Sequence, residues 1–216
     1  MTTSIATSTP CTVTFSDVDE SNPFYAFIRC LACRGIISGY ADGTFKPGNE
    51  ITRGQIAKIV SNAANLQDDP GPQIYTDVGG DNPFYTWINR LVNAGFMGGY
   101  PCGGEGEPCG VDNKPYFRPF ANATRGQLAK IVANAAGVGG TPTEQYYADV
   151  PEENPFYVWI MQLTALGVMS GYSCGGSGEP CDEENRPYFR PFANVTRGQA
   201  SKIVANTFFP GCQVGR

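Results

Sequence analysis

The chain of 216 residues contains no histidine. That absence removes the Ser-His-Asp and Cys-His arrangements of nucleophilic catalysis, and with them the commonest zinc ligand. Charge is also scarce. Asp, Glu, Lys and Arg form 16% of the chain, and 15 basic residues against 20 acidic ones leave a net charge of −5. An acidic balance argues against nucleic acid as a partner. No apolar run approaches the roughly 18 residues of a membrane-spanning helix, so no transmembrane segment is expected. The opening stretch MTTSIATSTPCTVTF has neither a basic nor an apolar region of the kind a signal peptide needs. If the chain is exported, its leader is absent from this sequence.

Other residues are plentiful. Gly (27) and Pro (17) together make about a fifth of the chain, which implies many loops between short elements. Aromatics reach 12%, too many for a disordered chain and enough for a core. Eight cysteines, an even number, read as a disulfide framework and point to an oxidising, extracellular setting.

One pattern covers nearly everything. FSDVDESNPFYAFIRCLACRGIISGY (15–40), YTDVGGDNPFYTWINRLVNAGFMGGY (75–100) and YADVPEENPFYVWIMQLTALGVMSGY (147–172) are copies of one unit. Each is followed by a second shared block, ITRGQIAKIV (51–60), ATRGQLAKIV (123–132) or VTRGQASKIV (195–204). From the Gly-Tyr tyrosine to the repeated arginine is 13 residues in repeat 1 and 25 in repeats 2 and 3, so twelve residues are inserted at one place in both later copies. The expected segments are an arm (1–14), repeat 1 (15–70), repeat 2 (71–141), repeat 3 (142–209) and a tail (210–216).

Each repeat reads as helix, loop, helix. Asn22-Pro23, Asn82-Pro83 and Asn154-Pro155 start the first helix, with Asn capping and Pro at the first helical position. Phe24, Phe27, Ile28 and Leu31 follow at helical spacing, as do Phe84, Trp87, Ile88 and Leu91. Gly35, Gly95 and Gly167 end it. Thr-Arg-Gly-Gln opens the second helix as a capping box, in which Thr52 caps and Gln55 reaches back. Arg53, Arg125 and Arg197 are not explained by capping. A cation at the first helical position opposes the macrodipole, so an acidic partner is expected, either an Asp of the chain or a bound anion.

The ordered set F-x-D-V, PFY, G-I-I-S-G-Y-A-D-G-T-F-K-P and I-T-R-G-Q-I-A-K-I-V resembles the S-layer homology (SLH) family, with three copies spanning Phe15 to about Phe208. The resemblance implies a mainly α fold in which three tandem helix-loop-helix repeats form a pseudo-threefold trimer in one compact unit. Short β segments and disulfide-closed hairpin inserts complete the expected architecture. It also implies a non-catalytic, extracellular protein of the cell surface or cell wall. Such a protein binds an anionic, pyruvylated type of cell-wall polysaccharide in grooves between repeats. Carried over by position, the family's arginine is Arg53, Arg125 and Arg197, and its early aspartate is Asp17, Asp77 and Asp149.

The chemistry is compatible with that role. Arg presents a planar fork to a carboxylate, helix N-terminal N–H groups add to an anion site, and aromatic rings lie against sugar faces. Tyr40, Tyr100 and Tyr172 are the aromatic candidates. The alternative is a structural subunit that binds other copies of itself and builds a lattice or filament through the arm, whose TVTF end is β-prone, and the outer loops. No cofactor, metal or enzymatic activity is expected.

Three departures from the family pattern stand out. The usual motif glutamate is Gln in all three copies. Repeats 2 and 3 replace DGTF with a cysteine-bearing insert, which calls into question whether their grooves are open. The three copies fill nearly the whole of this sequence, so no cargo domain is expected within it. Within the inserts, CGGEGEPC and CGGSGEPC favour local Cys102–Cys109 and Cys174–Cys181 bridges. In the closed ring implied by the family, the end of repeat 3 returns to repeat 1. Cys30 and Cys33 would then each take one of Cys11 and Cys212, in either order, with an intermolecular bond from Cys11 as the alternative. Asn122 and Asn194 match the glycosylation sequon, and a turn role accounts for both.

Overall fold

The computed structural model describes residues 11–213. Residues 1–10 of the arm and 214–216 of the tail, on which part of the expectation for the two ends rests, lie outside the described residues. The described chain is mainly helical. It contains α1 (Tyr25–Cys33), α2 (Arg53–Ala63), α3 (Tyr85–Asn93), α4 (Arg125–Ala135), α5 (Tyr157–Ala165) and α6 (Arg197–Phe208), closed by a 3-10 turn at Pro210–Gln213.

The odd-numbered helices start two residues later than the Asn-Pro signal suggests. Asn22 Oδ1 accepts the N–H of Phe24 at 2.9 Å, and Asn82 and Asn154 do the same for Phe84 and Phe156. The phenylalanine then sits off regular helical angles, at φ −103° and ψ −1° for Phe24, so the helix proper begins at Tyr25, Tyr85 or Tyr157. Asn-Pro thus builds the turn that leads into the helix and does not form its first residues.

The far end is a Schellman motif. Gly35, Gly95 and Gly167 take φ between +68° and +76°. In repeat 1 the Gly35 N–H donates to the Ala32 carbonyl and the Ile36 N–H to that of Leu31, with the same pair of bonds after α3 and α5. The even-numbered helices each carry a complete capping box, Thr52 with Gln55, Thr124 with Gln127 and Thr196 with Gln199.

The helices pair across repeats. α2 packs on α3, α4 on α5 and α6 on α1, while α2, α4 and α6 also touch one another. The first helix of each repeat therefore covers the second helix of the repeat before it, and the last pair closes the chain on itself. At the centre Ile51 donates to the Val195 carbonyl, Val195 to that of Ala123, and Ala123 to that of Ile51. All three of these residues are fully buried. Expected β segments are reduced to isolated bridges, such as Thr52 with Asn122 and Thr124 with Asn194. Each repeat contributes too few residues to this ring to lay down a ladder.

Close approach explains the glycine of Thr-Arg-Gly-Gln. A Cβ on Gly54, Gly126 or Gly198 would lie 2.4 Å from Cδ2 of Phe84, Phe156 or Phe24. The bare helix backbone is thus the seat for an aromatic ring of the following repeat.

Four disulfides staple the fold. Cys102 pairs with Cys109 and Cys174 with Cys181 inside the inserts. Cys11 pairs with Cys33, and Cys30 with Cys212, so α1 carries both ends of the described chain.

Candidate functional site: three grooves, each built from all three repeats

The repeated arginines are almost wholly buried, Arg53 at 4% and Arg125 and Arg197 at 6% exposure. Each reaches into the loop of the following repeat. Arg53 Nε donates to the Phe117 carbonyl at 2.8 Å and Nη2 to that of Gly98 at 2.7 Å. Arg125 bonds the Phe189 and Ser170 carbonyls, and Arg197 those of Phe45 and Ser38. The guanidinium also lies over aromatic rings, Arg53 over Tyr100 and Phe117, with the same pairing for Arg125 and Arg197. Burial pushes the pKa of all three guanidinium groups down, partly opposed by the neighbouring tyrosines. The charge expected to need an acidic partner is met here by carbonyl dipoles and ring faces, and no Asp ion pair with these arginines occurs among the described residues.

The helix N-termini are also occupied. Arg53 N–H donates to Ala121 and Gly54 N–H to Pro119, both in repeat 2, while Gln55 N–H is capped by Thr52. Repeats 2 and 3 repeat the pattern. Those donors are therefore spent on inter-repeat bonds and not offered to an anion, a correction to the expectation that they would add to a ligand site.

Asp17, Asp77 and Asp149 clamp the same loops from the other side. Asp77 Oδ1 accepts the Phe117 N–H at 2.8 Å and Oδ2 the Arg118 N–H at 2.6 Å. Asp17 binds Phe45 and Lys46 in this way, and Asp149 binds Phe189 and Arg190. Lys46, Arg118 and Arg190 hold φ near +60°, a strained region for a side-chain-bearing residue, and the two-point carboxylate bond secures it. None of the three aspartates lines a groove.

Three grooves correspond to one another. The first is lined by Ile36–Tyr40, Gln55, Lys58 and Ile59 of repeat 1, Phe84 of repeat 2 and Arg197 of repeat 3. The second has Phe96–Tyr100, Gln127, Lys130 and Ile131 with Phe156 and Arg53. The third has Val168–Tyr172, Gln199, Lys202 and Ile203 with Phe24 and Arg125. Their volumes are about 150, 200 and 170 Å³. The inserts of repeats 2 and 3 line none of them, so all three are open.

Tyr40, Tyr100 and Tyr172 form a wall of each groove. Their hydroxyls accept from the capping glutamines Gln55, Gln127 and Gln199 at 3.2–3.4 Å. Gln thus has two tasks, capping a helix through its carbonyl oxygen and holding a tyrosine through its amide. A second cation approaches each ring, Lys46 at 4.4 Å, Arg118 at 4.0 Å and Arg190 at 4.1 Å. The inserts account for the difference. In repeat 1 Lys46 pairs with Asp42 of the DGT turn, whose carboxyl is held down to about 2 by the Thr44 hydroxyl and by Lys46. In repeats 2 and 3 Arg118 and Arg190 make two-point bonds to Glu107 and Glu179 of the disulfide-closed inserts. These bonds lower the pKa of both glutamates. The insert thus replaces a short turn while keeping an acid that aims a cation at the tyrosine.

Sequence reasoning missed Lys58, Lys130 and Lys202. Lys58 and Lys130 lie 4.6 Å from the Trp87 and Trp159 rings, and Lys202 lies 5.9 Å from Phe27. Each tryptophan is fixed by its indole N–H donating to Asn62 or Asn134. No carboxylate among the described residues pairs with these lysines. The signal was present, since AKIV or SKIV recurs at one offset from the arginine. It was hidden because a lone lysine on a helix usually faces solvent. Each groove therefore holds one lysine and one arginine and no lining acid, in a chain of net charge −5. No group of three or more acidic or cysteine side chains among the described residues gathers as a metal site would.

The family model of the S-layer homology domain matches residues 14–57, 74–129 and 147–201. Among curated proteins, the chain is 25% identical over 181 residues to the Surface-layer 125 kDa protein of Lysinibacillus sphaericus, covering 83% of this chain and 14% of that protein. It is 29% identical over 156 residues to Cell surface glycoprotein 1 of Acetivibrio thermocellus, covering 66% and 6%. It is 25% identical over 197 residues to an endoglucanase of Bacillus sp., covering 88% and 18%. The chain thus spans less than a fifth of the length of each of these relatives.

Proposed function

The chain belongs to the S-layer homology family, and from that premise we propose that it is a non-enzymatic anchoring domain of the cell surface or cell wall whose three grooves hold an anionic wall polysaccharide. The observation that carries this reading is the pairing of a lysine with an arginine in every groove, without a lining acid, on a chain that is acidic as a whole. A sugar-borne carboxylate, of which a pyruvate ketal is the family's type, would meet the lysine ammonium and the part of the guanidinium not bonded to carbonyls. Tyr40, Tyr100 and Tyr172 would shape the groove, and Asp17, Asp77 and Asp149 would act at one remove by holding the loop that presents them. The cross-repeat pairing and the central ring of hydrogen bonds support a pseudo-threefold arrangement. Surface-layer proteins and a glycoside-cleaving enzyme both figure among the relatives, which suits a domain that places varied cargo at a wall.

The test is co-sedimentation with purified cell-wall sacculi, untreated or stripped of pyruvate ketals by mild acid. Binding should require the ketal and should fall in a Lys58→Ala, Lys130→Ala, Lys202→Ala triple variant that melts like the parent. Equal binding to both wall preparations, or full binding by the folded triple variant, would refute the reading. The alternative, assembly of copies through the N-terminal arm and the outer loops, rests on the β-prone TVTF end at 12–15, whose Phe15 is bridged to Val18 of the same chain, and on residues 1–10, which lie outside those described.

A further inference from the structure

Phe120 and Phe192 are the most exposed aromatic side chains among the described residues, at 66% and 64%. One such ring on a surface needs no explanation. Two at corresponding places, each joined to a groove wall, do. Phe120 meets Phe84 edge-on at 6.2 Å between centroids, and Phe192 meets Phe156 at 6.1 Å. Phe84 lines the first groove and Phe156 the second. Each exposed ring therefore continues the aromatic wall of a groove outward into solvent.

The third groove is the internal comparison. The Gly198 N–H donates to Pro47 just as Gly54 donates to Pro119 and Gly126 to Pro191, so the residue after the proline is equivalent in all three repeats. That residue is Phe120, Phe192 and, in repeat 1, Gly48. Phe24, in the third groove, thus has no such ring beside it. The lysine there also sits farther from its aromatic neighbour, 5.9 Å against 4.6 Å.

Building on the glycan reading above, we infer that Phe120 and Phe192 form a second sugar subsite on the first and second grooves, one that the third groove lacks. Its occupant is the apolar face of a neutral sugar adjoining the anionic residue held by the lysine and arginine. The ring's negative face attracts the C–H groups on that face of a pyranose, as it attracts the positive edge of another aromatic. A second copy of the chain is a poorer match. An interface between proteins buries on the order of 1,000 Å² or more, whereas each ring is flanked by exposed Ala121 and Asn122, or Ala193 and Asn194. One ring suffices to cover one sugar.

The experiment uses the oxidised full chain and two synthetic probes in titration calorimetry. One is a methyl hexoside bearing a 4,6-pyruvate ketal. The other is the disaccharide that joins this unit to a neutral hexose. The parent should bind the disaccharide more tightly, and Phe120→Ala with Phe192→Ala should erase roughly a fivefold preference while leaving monosaccharide affinity and melting temperature in place. Gly48→Phe should bring the third groove into the disaccharide-preferring class, because a Cβ at Gly48 meets nothing within 4 Å. Monosaccharide binding with no preference for the disaccharide, or a preference that survives both alanines, would overturn this inference alone. Failure of the parent to bind either probe would remove it together with the groove reading. Sedimentation velocity supplies a third outcome: association of the parent that the alanines abolish, with the sugar preference unchanged, would assign the rings to contacts between copies.

Discussion

Replacing Arg125 with alanine should damage the fold before it reports on any ligand. Its guanidinium is buried, donates to the carbonyls of Phe189 at 2.8 Å and Ser170 at 2.9 Å, and lies 4.5 Å from the Phe189 ring. Hydrogen bonds to a charged group contribute about 1.5–3 kcal/mol each, so truncation removes about 3–6 kcal/mol and leaves two carbonyls short of a donor. Relief of the buried charge returns part of this, and a net loss of about 4 kcal/mol is expected. For a chain of this length about 2–4 °C accompanies each kcal/mol, which places the fall in melting temperature near 10 °C. Arg125→Lys should lie between, because an ammonium keeps the charge and loses the planar fork. Lys130→Ala removes an exposed cation from the Trp159 ring, worth about 0.5–1 kcal/mol. It should shift the melting temperature by only about 2 °C. The assay is thermal unfolding by circular dichroism with disulfides intact, followed by wall binding at a temperature where every variant is folded. An Arg125→Ala protein that melts within about 2 °C of the parent would refute the reasoning, since the arginine would then not be the tie between repeats described above.

Three further outcomes are expected. Cys30 and Cys212 are 182 residues apart and Cys102 and Cys109 only 7. Chain-entropy arguments therefore make the Cys30→Ser, Cys212→Ser pair cost about 5 kcal/mol in urea unfolding and the Cys102→Ser, Cys109→Ser pair about 2.5 kcal/mol; the reverse order would count against closure as their role. Gly126→Ala should gain about 1 kcal/mol of helix propensity but force the Phe156 ring off a Cβ at 2.4 Å. With overpacking at about 1–3 kcal/mol, the variant should be less stable, and a raised melting temperature would show that the seat is not tight. The Asp42 carboxyl, depressed from 3.8 to about 2, contributes fully above pH 3.8, and its contribution is lost as pH falls toward 2. An NMR titration of Asp42 and the Thr44 amide should therefore show a midpoint near 2, and one near 4 would mean that the Thr44 and Lys46 bonds do not hold in solution.

The parts of this molecule that could be read from the chain are those whose partners lie a few residues away. Thr52 and Gln55 cap a helix three residues apart, and Gly35 closes one through bonds to Leu31 and Ala32. Such features depend on backbone angles and short spacings, so their residue types announce them. Repetition then multiplied the signal threefold and made the family legible. The odd helices were misjudged at their starts because the Asn-Pro turn and the first helical bond compete within two residues, a margin that propensity does not resolve.

The site was read less well, for a reason of distance. Arg53 stood out as a cation in the wrong place on a helix, and the chain offered nothing near it to explain why. Its partners are the carbonyls of Phe117 and Gly98, 64 and 45 residues away and in another repeat. Lys58 looked like an ordinary solvent-facing lysine until folding placed Arg197, 139 positions on, in the same groove. A groove assembled from three repeats has no contiguous signature, because burial and the loss of competing acids are properties of the packed ring. The residues alone determined the unit and its local caps; packing each unit's first helix on its predecessor's second decided which charges were spent inside the protein and which were left in the grooves without an acidic partner.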